Sequence, residues 1–161
     1  MTAEDRTLSR LVPLLGRLER LNDELATEVC GRHGIQPSEF RVLSFLVETD
    51  SDGVRPATIS RWALQTTGGL AATLRRLEAD DRIERTDDPD DRRGKRISLT
   101  PKGEELHDLV RGELTDRYRY ALDHVDLEAA LEQIIHLNTA FEQFGNHPHS
   151  GEWGASLAPV G

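Results

Sequence analysis

Between Arg82 and Leu99 the chain changes its period. Arg82-Ile83-Glu84-Arg85-Thr86 and Arg96-Ile97-Ser98-Leu99 are short and alternating, and residues 87–95 between them are turn-forming and heavily charged. That pattern predicts a β-hairpin whose tip carries too much charge to be buried. The other periodic segments repeat at three- and four-residue steps and predict helices. One hairpin among helices makes this a mainly α fold with a small β wing.

Residues 4–32 read as one long helix, with Leu8, Leu11, Val12, Leu15, Leu18, Leu21, Leu25 and Val29 on its apolar stripe. His33-Gly34 ends it with a glycine suited to a left-handed cap. Pro37 opens a second helix over 37–48 with Phe40, Leu43 and Leu46 inward, and Asp50-Ser51-Asp52-Gly53 is a turn. A third helix runs from Pro56 to about Leu64, burying Ile59 and Ala63. Gln65-Thr66-Thr67 supplies a short turn and an N-cap for a fourth, 68–80, which buries Leu70, Leu74 and Leu77. Thr100-Pro101 starts a long helix over 101–124, and Asp126 caps a last one over 127–144. Two short helices, a tight turn and a hairpin make a winged helix-turn-helix.

The outer helices hold more Leu and Ile than so small a wing domain can cover, so they are expected to pair with a second copy of the chain. Residues 1–36 and 101–145 are thus the expected helical dimerisation region, 37–100 the winged lobe, and 146–161 a flexible tail.

A net charge of −9 argues by itself against a nucleic-acid partner. Its distribution argues the other way. Residues 1–54 carry six Lys and Arg against ten Asp and Glu, and residues 97–161 carry four against eleven. Residues 55–96 carry ten against eight, nearly all the cations being arginine. The local potential over such a window governs phosphate contacts. No apolar run reaches the roughly 18 to 20 residues of a membrane span. The acidic start Met1-Thr2-Ala3-Glu4-Asp5 reads as no signal peptide, and a single cysteine excludes an internal disulfide framework. The expected compartment is the cytoplasm.

Asp91-Arg92-Arg93-Gly94-Lys95-Arg96-Ile97-Ser98-Leu99-Thr100 fits the pattern D-x-R-x-x-x-[VI]-x-L-T, which resembles the wing signature of the MarR family of bacterial transcription regulators. Pro101-Lys102-Gly103-Glu104 continues it. Leu77-Glu78, Glu84-Arg85 and Phe40-Arg41-Val42-Leu43 are similar to further segments of that family, and the likeness extends over about residues 5–145. It implies a homodimer on a pseudo-palindromic operator, a recognition helix in the major groove and a wing arginine in the minor groove. It also implies a repressor relieved by a small aromatic or phenolic compound, with no cofactor.

An arginine at a hairpin tip suits a narrow minor groove, where negative potential concentrates. Arg93 is that residue in this reading, Asp91 supports the wing by holding its guanidinium, and Arg92 and Lys95 contact phosphates. On the recognition helix, Thr67-Gly68-Gly69 matches the family's start, and the two glycines permit close approach of backbone N–H groups to a phosphate. The base-reading positions then depart from the family and are partly blank, since Ala71 and Ala72 precede Thr73. Gly69, Ala72, Thr73 and Arg76 are expected on the face opposite Leu70, Leu74 and Leu77. Arg75 and Arg76 are either DNA contacts or partners of Glu78, Asp80 or Glu84. Asp81-Arg82 stands where relatives have Gly-Leu, which asks an aspartate to take a left-handed conformation.

Arg41 is a candidate contact for a carboxylate ligand, or a partner of Glu39 or Glu48. Cys30 on a Leu-rich helix reads as a small buried hydrophobe, not a redox sensor. Glu24, Cys30, His33 and His107 do not make a convincing zinc set. Urate is not expected, because the first helix has no tryptophan and Arg41 stands where the urate-responsive members carry aspartate. No phosphate loop, H-E-x-x-H or G-x-S-x-G is present, so no enzyme is expected. The alternative is a protein–protein interaction module on a winged-helix scaffold that has lost sequence-specific DNA binding.

Overall fold

Helix starts follow the cap chemistry. In the computed structural model, which describes residues 2–49, 53–63 and 65–145 (of Arg92, Arg93 and Gly145 the backbone alone), the order is α1 (Ala3–Arg32), α2 (Pro37–Glu48), α3 (Pro56–Trp62), α4 (Thr67–Ala79), β1 (Ile83–Asp88), β2 (Asp91–Leu99), α5 (Pro101–Ala121) and α6 (Leu127–Gly145). The expected tail, 146–161, lies outside the described residues. Prolines open α2, α3 and α5, where the missing N–H has no intrahelical partner to lose. Thr66 and Thr100 cap α4 and α5, each hydroxyl accepting a backbone N–H three residues on, from Gly69 and Gly103, at 3.1 Å. α5 stops at Ala121, three residues short of the expected end, and α3 stops at Trp62.

The hairpin is antiparallel, with Ile83 opposite Leu99 and Asp87 opposite Lys95. The isolated bridge Val54–Ile97 lays one more backbone segment beside β2 and ties the wing to the entry of α3. Around these elements closes one core, made of Val42, Leu43 and Leu46 from α2, Ile59 from α3, Leu70, Leu74 and Leu77 from α4, Ile83 and Ile97 from the hairpin, and Val110 and Leu114 from α5. Of the whole stripe on α1, Val29 alone joins it fully, together with Cys30.

Three turn residues among those described carry positive-φ backbone, one of them Gly53 at φ 96° before α3. Gly34 has φ 69° after α1, and Asp81 has φ 60° after α4, the conformation the sequence asked of it. Arg82 then passes so near the first turn of α5 that a Cβ on Gly103 would lie 2.0 Å from its carbonyl oxygen. Only glycine fits there. α6 makes no extensive contact with any other element, and Leu127, Leu131, Ile134, Ile135, Phe141 and Phe144 are all exposed on it. No helix among the described residues is long and apolar enough to cross a membrane.

Candidate nucleic-acid interface

On α4, Leu70, Leu74 and Leu77 are buried and Thr67, Gly68, Gly69, Ala71 and Arg75 are exposed, with Ala72 half-buried. Thr73 is a correction to the sequence reading. Its side chain faces inward and is 2 % exposed. The reason is periodic: 70, 73, 74 and 77 are the i, i+3, i+4, i+7 stripe of one helical face. A polar atom there needs partners, and the Thr73 hydroxyl lies 3.1 Å from both Gln65 Oε1 and the Gly69 carbonyl oxygen.

Arg76 is the second correction. It lies on the flank of α4 turned toward α2 and is committed to a polar network there. Its Nε donates to Glu39 Oε1 at 2.6 Å and its Nη2 to Gln36 Oε1 at 3.2 Å. Glu39 is buried and also accepts the Gln36 backbone N–H at 2.8 Å, closing a capping box at the start of α2. Gln65 Nε2 donates to the Ser38 carbonyl at 3.1 Å, so the turn before α4 is bound to the same end of α2. Sequence spacing proposed Glu78, Asp80 or Glu84 as partners of the arginine pair. Glu78 instead accepts from Arg85 at 2.8 Å, and Asp80 pairs with Arg82 at 3.3 Å.

The wing is held from beneath by a carboxylate that sequence reasoning missed. Asp88 is 3 % exposed, and its oxygens accept from Arg55 Nε at 2.5 Å, Arg96 Nε at 3.3 Å and the Asp90 backbone N–H at 3.0 Å. Strict alternation would turn Asp88 away from the face that Ile83 buries. A register shift between Asp87 and Asp88 turns it inward. The three donors keep its carboxyl well below the usual carboxylate range, so the latch stays ionised at neutral pH. Arg55 supplied a faint signal, since it occupies the N-cap of α3 without capping it, where Ser, Thr, Asp or Asn is preferred.

The same shift shapes the tip. Asp88 pairs with Asp91 while Asp87 pairs with Lys95, so Arg92, Arg93 and Gly94 are three extra residues against two adjacent ones on β1. They bulge from the end of the hairpin. Gly94 closes the bulge tightly, a Cβ there falling 3.1 Å from the Cβ of Asp88. Lys95 is exposed and its ammonium meets Asp87 across the ladder. The expected pairing of Asp91 with Arg93 involves a side chain outside those described.

Arg41 lines a cleft of about 570 Å³ between α1, α2 and α3, with Gly16, Arg20, Asn22 and Trp62 among its walls. It is exposed and has no ion pair among the described residues; neither Glu39 nor Glu48 takes it. Cys30 is fully buried, and desolvation pushes its thiol up to about 11, away from the reactive thiolate. Among the residues weighed for zinc, His33 Nε2 is 2.9 Å from Glu113 Oε2 and His107 stacks on Phe40 at 5.5 Å. No metal-binding group of three is found among the described residues.

Residues 33–94 match the model of the MarR family. The chain is 34 % identical over 85 residues to the HTH-type transcriptional regulator PrsX of Escherichia coli, which is 53 % of this chain and 51 % of the relative. It thus spans about half the length of the curated relatives it matches. The fold recurs in the transcriptional regulator BldR of Sulfolobus solfataricus, at TM-score 0.75 and 20 % identity over 87 % of this chain and 99 % of the other. It recurs in CouR of Rhodococcus jostii bound to p-coumaroyl-CoA, at 0.70 and 20 % over 79 % and 88 %. A MepR variant of S. aureus bound to an oligodeoxyribonucleotide matches at 0.58 and 19 % over 83 % and 97 %. The helix-turn-helix, the latched wing and the match to the MarR family model over residues 33–94 all fall on one lobe.

Proposed function

We propose that this chain is a DNA-binding transcription regulator that works as a homodimeric repressor and is released from its operator by a small aromatic or phenolic ligand. In this reading α4 enters the major groove, Arg93 reaches the adjacent minor groove, and Arg92 and Lys95 meet phosphates. Thr67, Gly68 and Gly69 bring the start of α4 against the backbone. The observation that carries the reading is the wing: a bulge with two consecutive arginines, on a hairpin pinned to α3 through the buried Asp88. A solvated charged loop needs no such buried anchor.

Dimerisation supplies the spacing. Two recognition helices meet successive major grooves about 34 to 36 Å apart, and the bare apolar faces of α1 and α6 are the surfaces available to set it. The cleft beside Arg41 and Trp62 is the candidate effector site, the guanidinium for a carboxylate and the indole for an aromatic ring. The likeness in fold to CouR, bound to p-coumaroyl-CoA, supports the class of effector. A ligand there relieves repression by binding better to a lobe spacing that cannot dock on both half-sites.

The test is a gel-shift titration, at two salt concentrations, against duplexes selected from a randomised pool. The expected result is tight binding of the selected duplex that weakens steeply with salt. Arg93→Ala is expected to weaken it at least about tenfold. A second reading, a protein–protein module without sequence-specific DNA binding, is favoured by the net charge of −9 and the bare Ala71-Ala72 surface. It predicts that no duplex is enriched over random DNA.

A further inference from the structure

We infer that Arg75, not Arg76, is the base-reading residue of α4. The inference rests on the DNA-binding reading above. Helical spacing puts Gly68, Ala72, Arg75 and Ala79 at i, i+4, i+7 and i+11, the stripe directly opposite Leu70, Leu74 and Leu77. Arg76 lies on the flank and is already consumed by Glu39 and Gln36.

Two of the carboxylates near Arg75 in sequence, Glu78 and Asp80, are already taken. Glu78, three residues on and its natural helical partner, accepts from Arg85 at 2.8 Å; Asp80 pairs with Arg82. Arg75 is exposed and makes no ion pair among the described residues. Its neighbours on the outer surface are Gly68, Ala71 and Ala72, which leave the helix surface low. A helix so bare can sit deep in a major groove, and a guanidinium rising from it is the one group there able to form the bidentate contact to guanine O6 and N7. Arg61 on α3 is exposed and has no ion pair among the described residues either, but in this reading α3 is the helix that crosses the sugar–phosphate backbone, which suits a phosphate contact.

The experiment is selection from a randomised duplex pool by the full-length chain and by Arg75→Ala, Arg75→Lys and Arg76→Lys, with thermal midpoints taken alongside. The wild type is expected to enrich a motif containing a guanine in each half-site. Arg75→Ala is expected to melt like the wild type, lose the preference at that guanine, and bind the selected duplex about tenfold more weakly. Arg75→Lys keeps the charge without the fork and is expected to recover affinity for unrelated duplexes but not the preference. Arg76→Lys is expected to melt lower and select the same motif.

Enrichment of an unchanged motif by Arg75→Ala overturns the assignment. So does a loss of the same factor on every duplex with a shallower salt slope, which marks a phosphate contact. Restoration of the preference by Arg75→Lys overturns it too. A wild type that enriches nothing sinks the DNA-binding reading itself, a result distinct from all of these.

Discussion

The winged lobe and the terminal helices are built from the same kind of amphipathic pattern and end in opposite states. In the lobe, Leu43, Ile59, Leu77 and Ile97 are fully buried, and even Thr73 on the core stripe of α4 is enclosed with its hydroxyl satisfied. On α6, Leu131 is 60 % exposed and Phe144 67 %, and the first two-thirds of α1 shows Leu8, Val12, Leu14, Leu18 and Leu21 to solvent. Full burial of each such side chain contributes roughly 1.5 to 3 kcal/mol, so the terminal helices forgo most of what their sequence could gain from packing. A contiguous apolar face of this kind marks an interaction surface. The lobe closes a core with Val29 and Cys30 of α1 and Val110 and Leu114 of α5, while most of the apolar face of α1 and α6 finds no cover among the described residues.

The largest expected effect breaks that contrast outright. Leu131→Asp with Ile134→Asp in α6 is expected to abolish self-association at micromolar concentration, read as mass by light scattering, and to leave the hairpin and lobe folded. A wild-type chain that is already monomeric under those conditions removes the need for a second copy. Next comes the lobe's tightest junction. Gly103→Ala forces a methyl group toward the Arg82 carbonyl, where it would lie at 2.0 Å, and is expected to cost about 3 kcal/mol in denaturant unfolding. A loss near zero would mean that α5 shifts freely on the α4–β1 turn, and that the lobe is less rigid than its burial implies. The smallest effect sharpens the same turn. Asp81→Gly relieves a left-handed backbone at φ 60° and is expected to stabilise by about 0.5 kcal/mol, measured as a higher urea midpoint.

Much of this architecture was legible in the chain. The hairpin was readable because two alternating runs flank a turn, and α2, α5 and α6 because a proline or an aspartate stands before each apolar stripe. Thr66 and Thr100 announce their caps, and Asp81 its strained turn. Even Thr73 was available to a stricter reading, because it completes the stripe of Leu70, Leu74 and Leu77. The wing latch was not. Residues 87–91 hold four carboxylates, and no local pattern says that Asp88 is the one the bulge turns inward toward Arg55, thirty-three positions upstream. Nor does the dipeptide Arg75-Arg76 say which guanidinium faces α2.

By itself the sequence determined the order of elements, where the helices start and the sides that must be dry, since periodicity, capping and turn chemistry act over a few neighbouring residues. The tertiary structure alone decided which charges are paired and which remain available. Those choices depend on where the end of a distant element falls: Glu39 at the start of α2 claims Arg76, Arg55 before α3 claims Asp88, and Arg85 on β1 claims Glu78. A buried carboxylate keeps its charge only with partners in reach, and reach is a property of the folded chain.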